Sequence, residues 1–177
     1  MEHLTKKPFF LTDEDILWVG STLADLSLAQ RVNRLLYTHG EAFTFTPVLE
    51  MNPHQVRHLI NKGEIPYINY DSVDDKNNFM ACFDAGLMAV MVNPSNICDF
   101  ILQHASYNGL IITENLPTNA IALAITTGVD LFLSSGDKEE EINAVMNGFN
   151  EGIITEERLR EATIQILALE VALGLQH

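Results

Sequence analysis

"AGLMAVMVNPSNICDFILQHASYNGLIITENL", residues 85–116, decides how this chain is read. "LMAVMV" (87–92) is a continuous apolar run of strand length, the pattern of a parallel strand covered on both faces. "SNICDFILQHAS" (95–106) reads as a helix capped by Ser95, and "GLIIT" (109–113) as a second strand. The second strand ends on a polar rim, Glu114 and Asn115, before Pro117 breaks the chain. A strand, a helix and a strand joined by short connections imply a right-handed crossover between parallel neighbours.

The same alternation extends in both directions. Upstream, "DKNNFMACFDAG" (75–86) is a helix closed by Gly86, and "IPYINYD" (65–71) is a strand. "NPHQVRHLINKGE" (52–64) is a helix with Asn52 as cap and Pro53 in its first turn. "FTFTPVLE" (43–50) alternates and is rich in β-branched and aromatic residues, so it too reads as a strand. Downstream come a helix (118–128), a strand (129–135), an acidic helix (137–152) and a long helix from Thr155 to Gly174. Ahead of all this, residues 12–36 carry two capping-box signatures, Thr12 with Asp15 and Ser27 with Gln30, so two short helices precede any strand.

The chain of 177 residues is therefore expected to be a single α/β domain. Residues 1–40 form a helical lead-in and residues 41–177 the β/α repeats. Five parallel strands are expected, over 43–49, 65–70, 87–92, 110–113 and 129–134. An eight-stranded (β/α) barrel usually takes ~250 residues. The reading is thus either a reduced, partial TIM-barrel-like sheet or an open doubly wound sheet, with N-terminal helices.

Composition narrows the function classes. Hydrophobic residues make up 47% and charged residues 19%, which suits a folded globular chain. Ten Lys+Arg against 24 Asp+Glu give a net charge of −14, which argues against nucleic acid and against anionic membrane surfaces. No apolar run reaches the ~18 residues of a membrane span, and "MEHLTKKPFFLTDED" has no signal-peptide apolar region, so a cytoplasmic location is expected. Cys82 and Cys98 suggest no disulfide scaffold and read as buried, inert thiols. Neither G-x-G-x-x-G nor G-x-x-x-x-G-K-[ST] occurs, and no cofactor is expected.

Among residues that carry chemistry, Glu114 stands at the C-terminal end of a buried strand, where active sites of parallel α/β folds form. Asp71 and Asn93, at the ends of the neighbouring strands, share that rim with Glu114 and Asn115 and are candidates to bind a substrate. Of six histidines, His3 and His177 are terminal and expected to be disordered, and His39 lies between the lead-in and the first expected strand. His54 and His58 share a helix face at i,i+4 without the glutamate of an H-E-x-x-H site, so no metal is expected. His104 is expected to serve a helix C-terminus. Asp130, within "GVDLFL", reads as structural, and the "KEEE" run (138–141) as the solvated start of a helix.

The C-terminal half resembles the last strands of the barrel in family 3 glycoside hydrolases, especially the β-N-acetylglucosaminidase type. The resemblance is carried by "AGLMAVMV" (85–92), "SNICDFILQHASYNGLIITENL" (95–116), "TTGVDLFLSSGD" (126–137) and "EGIITEERLREATIQILALEVALGL" (151–175). "LTDEDILWVGSTLADLSLAQRV" (11–32) is similar to the helical lead-in before that family's first strand. The family's Glu-Gly-Gly stretch, and the Lys-His and Pro-Gly-His segments that bind sugar and supply an acid/base histidine, do not occur here. The resemblance thus implies the family's first two strands followed directly by its last three, with the last strand beside the first.

By the same resemblance the family's nucleophilic aspartate falls on Glu114, one methylene longer. The resemblance therefore implies a degenerate family 3-like protein with lost or strongly impaired β-N-acetylhexosaminidase activity and a carbohydrate as its ligand. The alternatives are an active retaining glycosidase that uses Glu114 and an acid/base from another subunit, and a non-enzymatic α/β binding or assembly module. A sheet that does not close leaves two edges uncovered, so a homo-oligomer, most simply a dimer, is expected.

Overall fold

Six short parallel strands and eight α-helices alternate along the chain in a computed structural model that describes residues 1–37, 44–49, 52–72, 78–114, 116–134 and 136–175. The strands are β1 (Leu36–Tyr37), β2 (Phe45–Pro47), β3 (Ile65–Asn69), β4 (Ala89–Met91), β5 (Leu110–Glu114) and β6 (Leu131–Leu133). The helices are α1 (Asp13–Asp25), α2 (Leu28–Arg34), α3 (Pro53–Asn61), α4 (Phe79–Asp84), α5 (Ile97–Gln103), α6 (Ile121–Thr127), α7 (Lys138–Asn150) and α8 (Glu156–Ala172).

The order across the sheet is β1-β6-β5-β4-β3-β2. From β2 to β6 it follows the chain without reversal, and β1 then takes the place beyond β6. A doubly wound sheet reverses its order at a switch point. This one runs round a ring with a single break, between β1 and β2, as a barrel does. The sheet is curled into a partial barrel. Its curl is seen directly at the break, where the Tyr37 ring of β1 meets the Phe45 ring of β2 edge-on at 5.2 Å. Phe45 in turn meets Tyr67 of β3 at 6.4 Å. Residues on opposite edges of a flat sheet cannot touch.

Side-chain alternation sorts the sheet into two layers. Ile65, Ala89, Met91, Leu110, Ile112 and Leu131 belong to one buried cluster, and the intervening Ile68, Val90, Ile111 and Val129 to a second. The second cluster lies under α3 to α6, through Val56, Cys82, Phe100 and Ala124. The parallel register keeps the layers aligned: Tyr67, Ala89 and Leu110 form one row, and Asn69, Met91, Ile112 and Leu131 another.

Local chemistry accounts for the helix ends. Thr12 with Asp15 and Ser27 with Gln30 form the expected capping boxes. Asn52 and Asp137 accept two backbone N–H bonds each at the starts of α3 and α7, and Thr155 one at the start of α8. The last helix is buried on most sides, and α1 and α2 pack on it. Arg31 and Arg34 of α2 pair with Glu156 and Glu170 of α8.

Four expectations are corrected. The segment expected to be helical up to residue 36 gives up Leu36 and Tyr37 to β1, a two-residue strand too short to leave a period in the sequence. The last strand therefore pairs with Leu36–Tyr37 rather than with the strand expected over 43–49, and the other four expected strands follow in reverse chain order on its other side. Ser95 does not cap the helix after β4: Asn93 accepts the Ser95 N–H instead, and a single 3-10 turn at Pro94–Asn96 leads into α5. Within "KEEE", Glu139 and Glu140 are exposed but Glu141 is buried, because four and seven residues on it shares a face with the buried Val145 and Gly148.

Asp130 is structural, as expected. Its Oδ2 accepts the Ile111 N–H at 3.0 Å and its Oδ1 the Arg158 Nη2 at 2.7 Å. Arg158 also donates to the carbonyls of Ile125 and Val129, both at 2.8 Å, and so ties α6, β6 and α8 together. Burial pushes the Asp130 carboxyl up from its ordinary value, while Arg158 and the Ile111 N–H pull it back. Removing one partner of such a pair leaves an uncompensated buried charge. Arg158→Ala is therefore expected to lose about 3–5 kcal/mol in urea denaturation at neutral pH. Because Asp130 must ionise while buried, that deficit should shrink as pH falls into the carboxylate range; a loss that is the same at both pH values would contradict this assignment.

Candidate functional site

The C-terminal ends of β3, β4 and β5 open into a cleft of about 690 Å³. Three elements build it. Asp71 lies in the turn Tyr70–Ser72 that follows β3, Asn93 follows β4, and Glu114 is the last residue of β5. All three line this cleft, together with Asn69, Met91 and Leu116. The reading of polar strand ends as one rim thus brings three of the four candidate residues together. The fourth, Asn115, lies outside the described residues, as do His39 and His177.

The rim is organised by hydrogen bonds from neutral donors. The Asp71 carboxylate accepts the backbone N–H of Asn93 through Oδ2, and Nδ2 of Asn96 at 2.6 Å through Oδ1. The Asn93 side chain accepts from the backbone N–H of Ser95 at 3.1 Å and from its hydroxyl at 2.8 Å. The loop after β3 is thereby fastened to the loop after β4. Glu114 is different: it is exposed, and its carboxylate has no hydrogen-bond or ion-pair partner among the described residues.

By strand alternation Glu114 shares a face with Leu110 and Ile112, the layer that also holds Met91 and Tyr67. The half-buried Tyr67 feels it: burial first, and the Glu114 charge second, raise the Tyr67 phenol above its ordinary value. Tyr67 and Asn69 are the residues that sequence reasoning passed over. Their signal was the alternation within "IPYIN", which puts both on one face of β3.

Other chemistry-bearing residues lie elsewhere. His54 and His58 are exposed on α3, and His54 sits 3.4 Å from Arg57. His104 does stand at the C-terminus of α5, but its Nε2 is 2.7 Å from the Tyr70 hydroxyl, within a cluster of aromatic rings. His3 lies in a 3-10 turn (Glu2–Thr5) that packs through the buried Leu4. Cys82 is buried, and burial pushes its thiol up to about 11. Cys98, expected to be buried, is exposed because it falls on the outer face of α5. Among the described residues no group of three potential ligands could hold a metal ion, and no helix is long and apolar enough to cross a membrane.

No family model matches the sequence. Over 102 residues the chain is 30% identical to a β-N-acetylglucosaminidase/β-glucosidase of Cellulomonas fimi, a match that takes in 52% of this chain and 18% of that protein. The solved structure of the β-glucoside phosphorylase BglX bound to 2FGlc superposes with a TM-score of 0.76 at 15% identity, covering 98% of this chain and 64% of that one. A family 3 β-N-acetylglucosaminidase from Paenibacillus sp. str. FPU-7 superposes with a TM-score of 0.59 at 18% identity, covering 71% and 34%. The chain is thus similar in sequence to part of a β-N-acetylglucosaminidase/β-glucosidase, and in fold to part of a family 3 glycoside hydrolase structure.

The cleft is open, and Glu114 at its rim has no partner among the described residues. The nearness of Tyr67 gives a spectroscopic handle on that carboxylate. Glu114→Gln removes the charge that helps hold Tyr67 protonated, so one tyrosine should ionise at a lower pH in the variant when tyrosinate absorbance is followed. Superimposable titrations would mean that the carboxylate lies away from the inner face.

Proposed function

We propose that the chain is a degenerate family 3-like carbohydrate-binding protein whose β-N-acetylhexosaminidase activity is lost or strongly impaired. The observation that carries this reading is the make-up of the cleft. Its lining includes Glu114, the position to which the resemblance assigns the nucleophile, but the described lining contains no histidine, and its second carboxylate, Asp71, is already engaged by Asn93 and Asn96. Retaining hydrolysis needs two groups roughly 5–5.5 Å apart, one to attack the anomeric carbon and one to give a proton to the leaving oxygen. Asp71 is poorly suited to the second task, since both its oxygens are already taken by N–H donors of the loop after β4.

The names of the relatives support a carbohydrate as the ligand, being a β-N-acetylglucosaminidase/β-glucosidase and a β-glucoside phosphorylase. The chain spans 18% of the first and 64% of the second, so what those whole proteins do is a guide to ligand class alone. Misplacing a reacting group by about 1 Å can cost ~10²-fold in rate, and glutamate in place of aspartate shifts the carboxylate by a methylene.

A second reading is favoured by the lack of a partner for Glu114 among the described residues: a retaining glycosidase whose acid/base comes from another subunit across the open side of the sheet. The two readings part on a single assay. Hydrolysis of a chromogenic N-acetyl-β-glucosaminide is expected to be absent or very slow in the wild type and unchanged in Glu114→Gln. Turnover in the wild type that disappears in the variant would overturn the degenerate reading in favour of the shared site.

A further inference from the structure

The inner face of the sheet carries an aromatic corner beside the cleft. Tyr67 and Asn69 alternate onto the same face of β3, and the register sets Asn69 level with Met91 of β4. Asn69 and Met91 both line the cleft. Two residues of strand separate Tyr67 from Asn69, about 7 Å, so Tyr67 lies one row below these lining residues. The Tyr67 ring meets Phe45 of β2 edge-on at 6.4 Å, and Phe45 meets Tyr37 of β1 at 5.2 Å. The aliphatic members of the same layer, Ile65, Ala89, Leu110 and Ile112, are fully buried, whereas Tyr67 and Phe45 stay half-buried.

The phenol is also unengaged. A tyrosine hydroxyl withdrawn from water usually finds a protein partner. The Tyr67 hydroxyl has none among the described residues, and the charge of Glu114 at the rim reaches it. Tyr67 thus offers an apolar ring face with a free hydroxyl at its edge and the Asn69 amide one row above. A pyranose is built to match. Where its hydroxyls are equatorial they circle the ring, and the axial C–H bonds are left on its two faces. Those C–H bonds suit the negative face of an aromatic ring, and the hydroxyls suit an amide and a phenol.

We propose that Tyr67 is the stacking platform of the cleft: a neutral pyranoside with equatorial hydroxyls lays one C–H face on the Tyr67 ring, which Phe45 buttresses. The Asn69 amide and the Tyr67 hydroxyl take hydroxyl groups at the edge of the sugar ring. The inference rests on the carbohydrate reading above and adds which surface of the sugar is read, and by which residue.

The test is an NMR titration of methyl β-glucoside with the whole chain. Sorbitol serves as a linear polyol with similar hydroxyl groups and no rigid C–H face. An aromatic ring shields protons held over its plane. Stacking is therefore expected to move the axial protons of one sugar face upfield, saturably, and to leave those of the other face in place. An Overhauser contact to the Tyr67 ring should accompany the shifts. Tyr67→Leu should abolish them and weaken binding roughly tenfold, and Tyr67→Phe should restore them. Glucoside binding without face-selective shifts, or shifts that persist in Tyr67→Leu, would overturn the stacking while leaving carbohydrate binding standing. Sorbitol binding as tightly as the glucoside would overturn the ring face as the feature that is read. If neither methyl β-glucoside nor methyl N-acetyl-β-glucosaminide binds, the inference fails together with the reading it rests on. The shifts and the Tyr67 contact are measured in the wild type, so the result does not hang on a variant's folding.

Discussion

The architecture depends on the pairing of β6 with β1. Phe132 donates its N–H to the Leu35 carbonyl at 2.9 Å and Ser134 donates to Tyr37 at 2.8 Å, so the strand nearest the N-terminus hangs on the last one. That pairing converts a simple run of five neighbours into a ring with one break. Its consequences are steric. Once β1 lies beyond β6, curl brings the two edges toward one another, and the space between them is filled by aromatic rings rather than by a hydrogen-bonded ladder. Pro47 at the end of β2 has no N–H to offer a further strand, which blunts that edge.

Two carboxylates at opposite ends of neighbouring strands show how position divides a buried, engaged group from an exposed one. Asp130 sits just before β6, enclosed, and every bond it accepts is to a group that holds the fold together. Glu114 closes β5 at the other end, exposed at the rim of the cleft. The first is committed by burial and by Arg158. The second meets no partner among the described residues, and its charge reaches Tyr67 on the same face of the sheet. The loops between these extremes are tied by Asp71, whose two accepted bonds cross from the β3 turn to the β4 turn.

How much of this was legible depended on how much chain each feature occupies. The run 87–92, the alternation in 43–50 and the capping boxes each span enough residues to show a period or a spacing, and the corresponding elements formed. Leu36 and Tyr37 do not: a two-residue strand continues the apolar spacing of α2, and only the partner strand, nearly 100 residues away, makes it a strand. The rim was legible for a similar reason, since a polar residue directly after an apolar strand marks its C-terminal end. Asn69 and Tyr67 were less visible because they lie inside the strand, where polar alternation reads as ordinary half-burial. Glu141 was masked by its neighbours; three consecutive glutamates suggest a solvated face, and only helical phase turns the third inward.

The partial barrel stands or falls on the approach of its two edges. The most direct test is a nuclear Overhauser measurement between the Tyr37 and Phe45 rings in selectively labelled protein. A cross-peak is predicted, because the ring centroids are 5.2 Å apart although the two residues lie on opposite edge strands. Assigned resonances for both rings with no cross-peak between them would mean an open sheet, and the partial-barrel architecture would have to be given up.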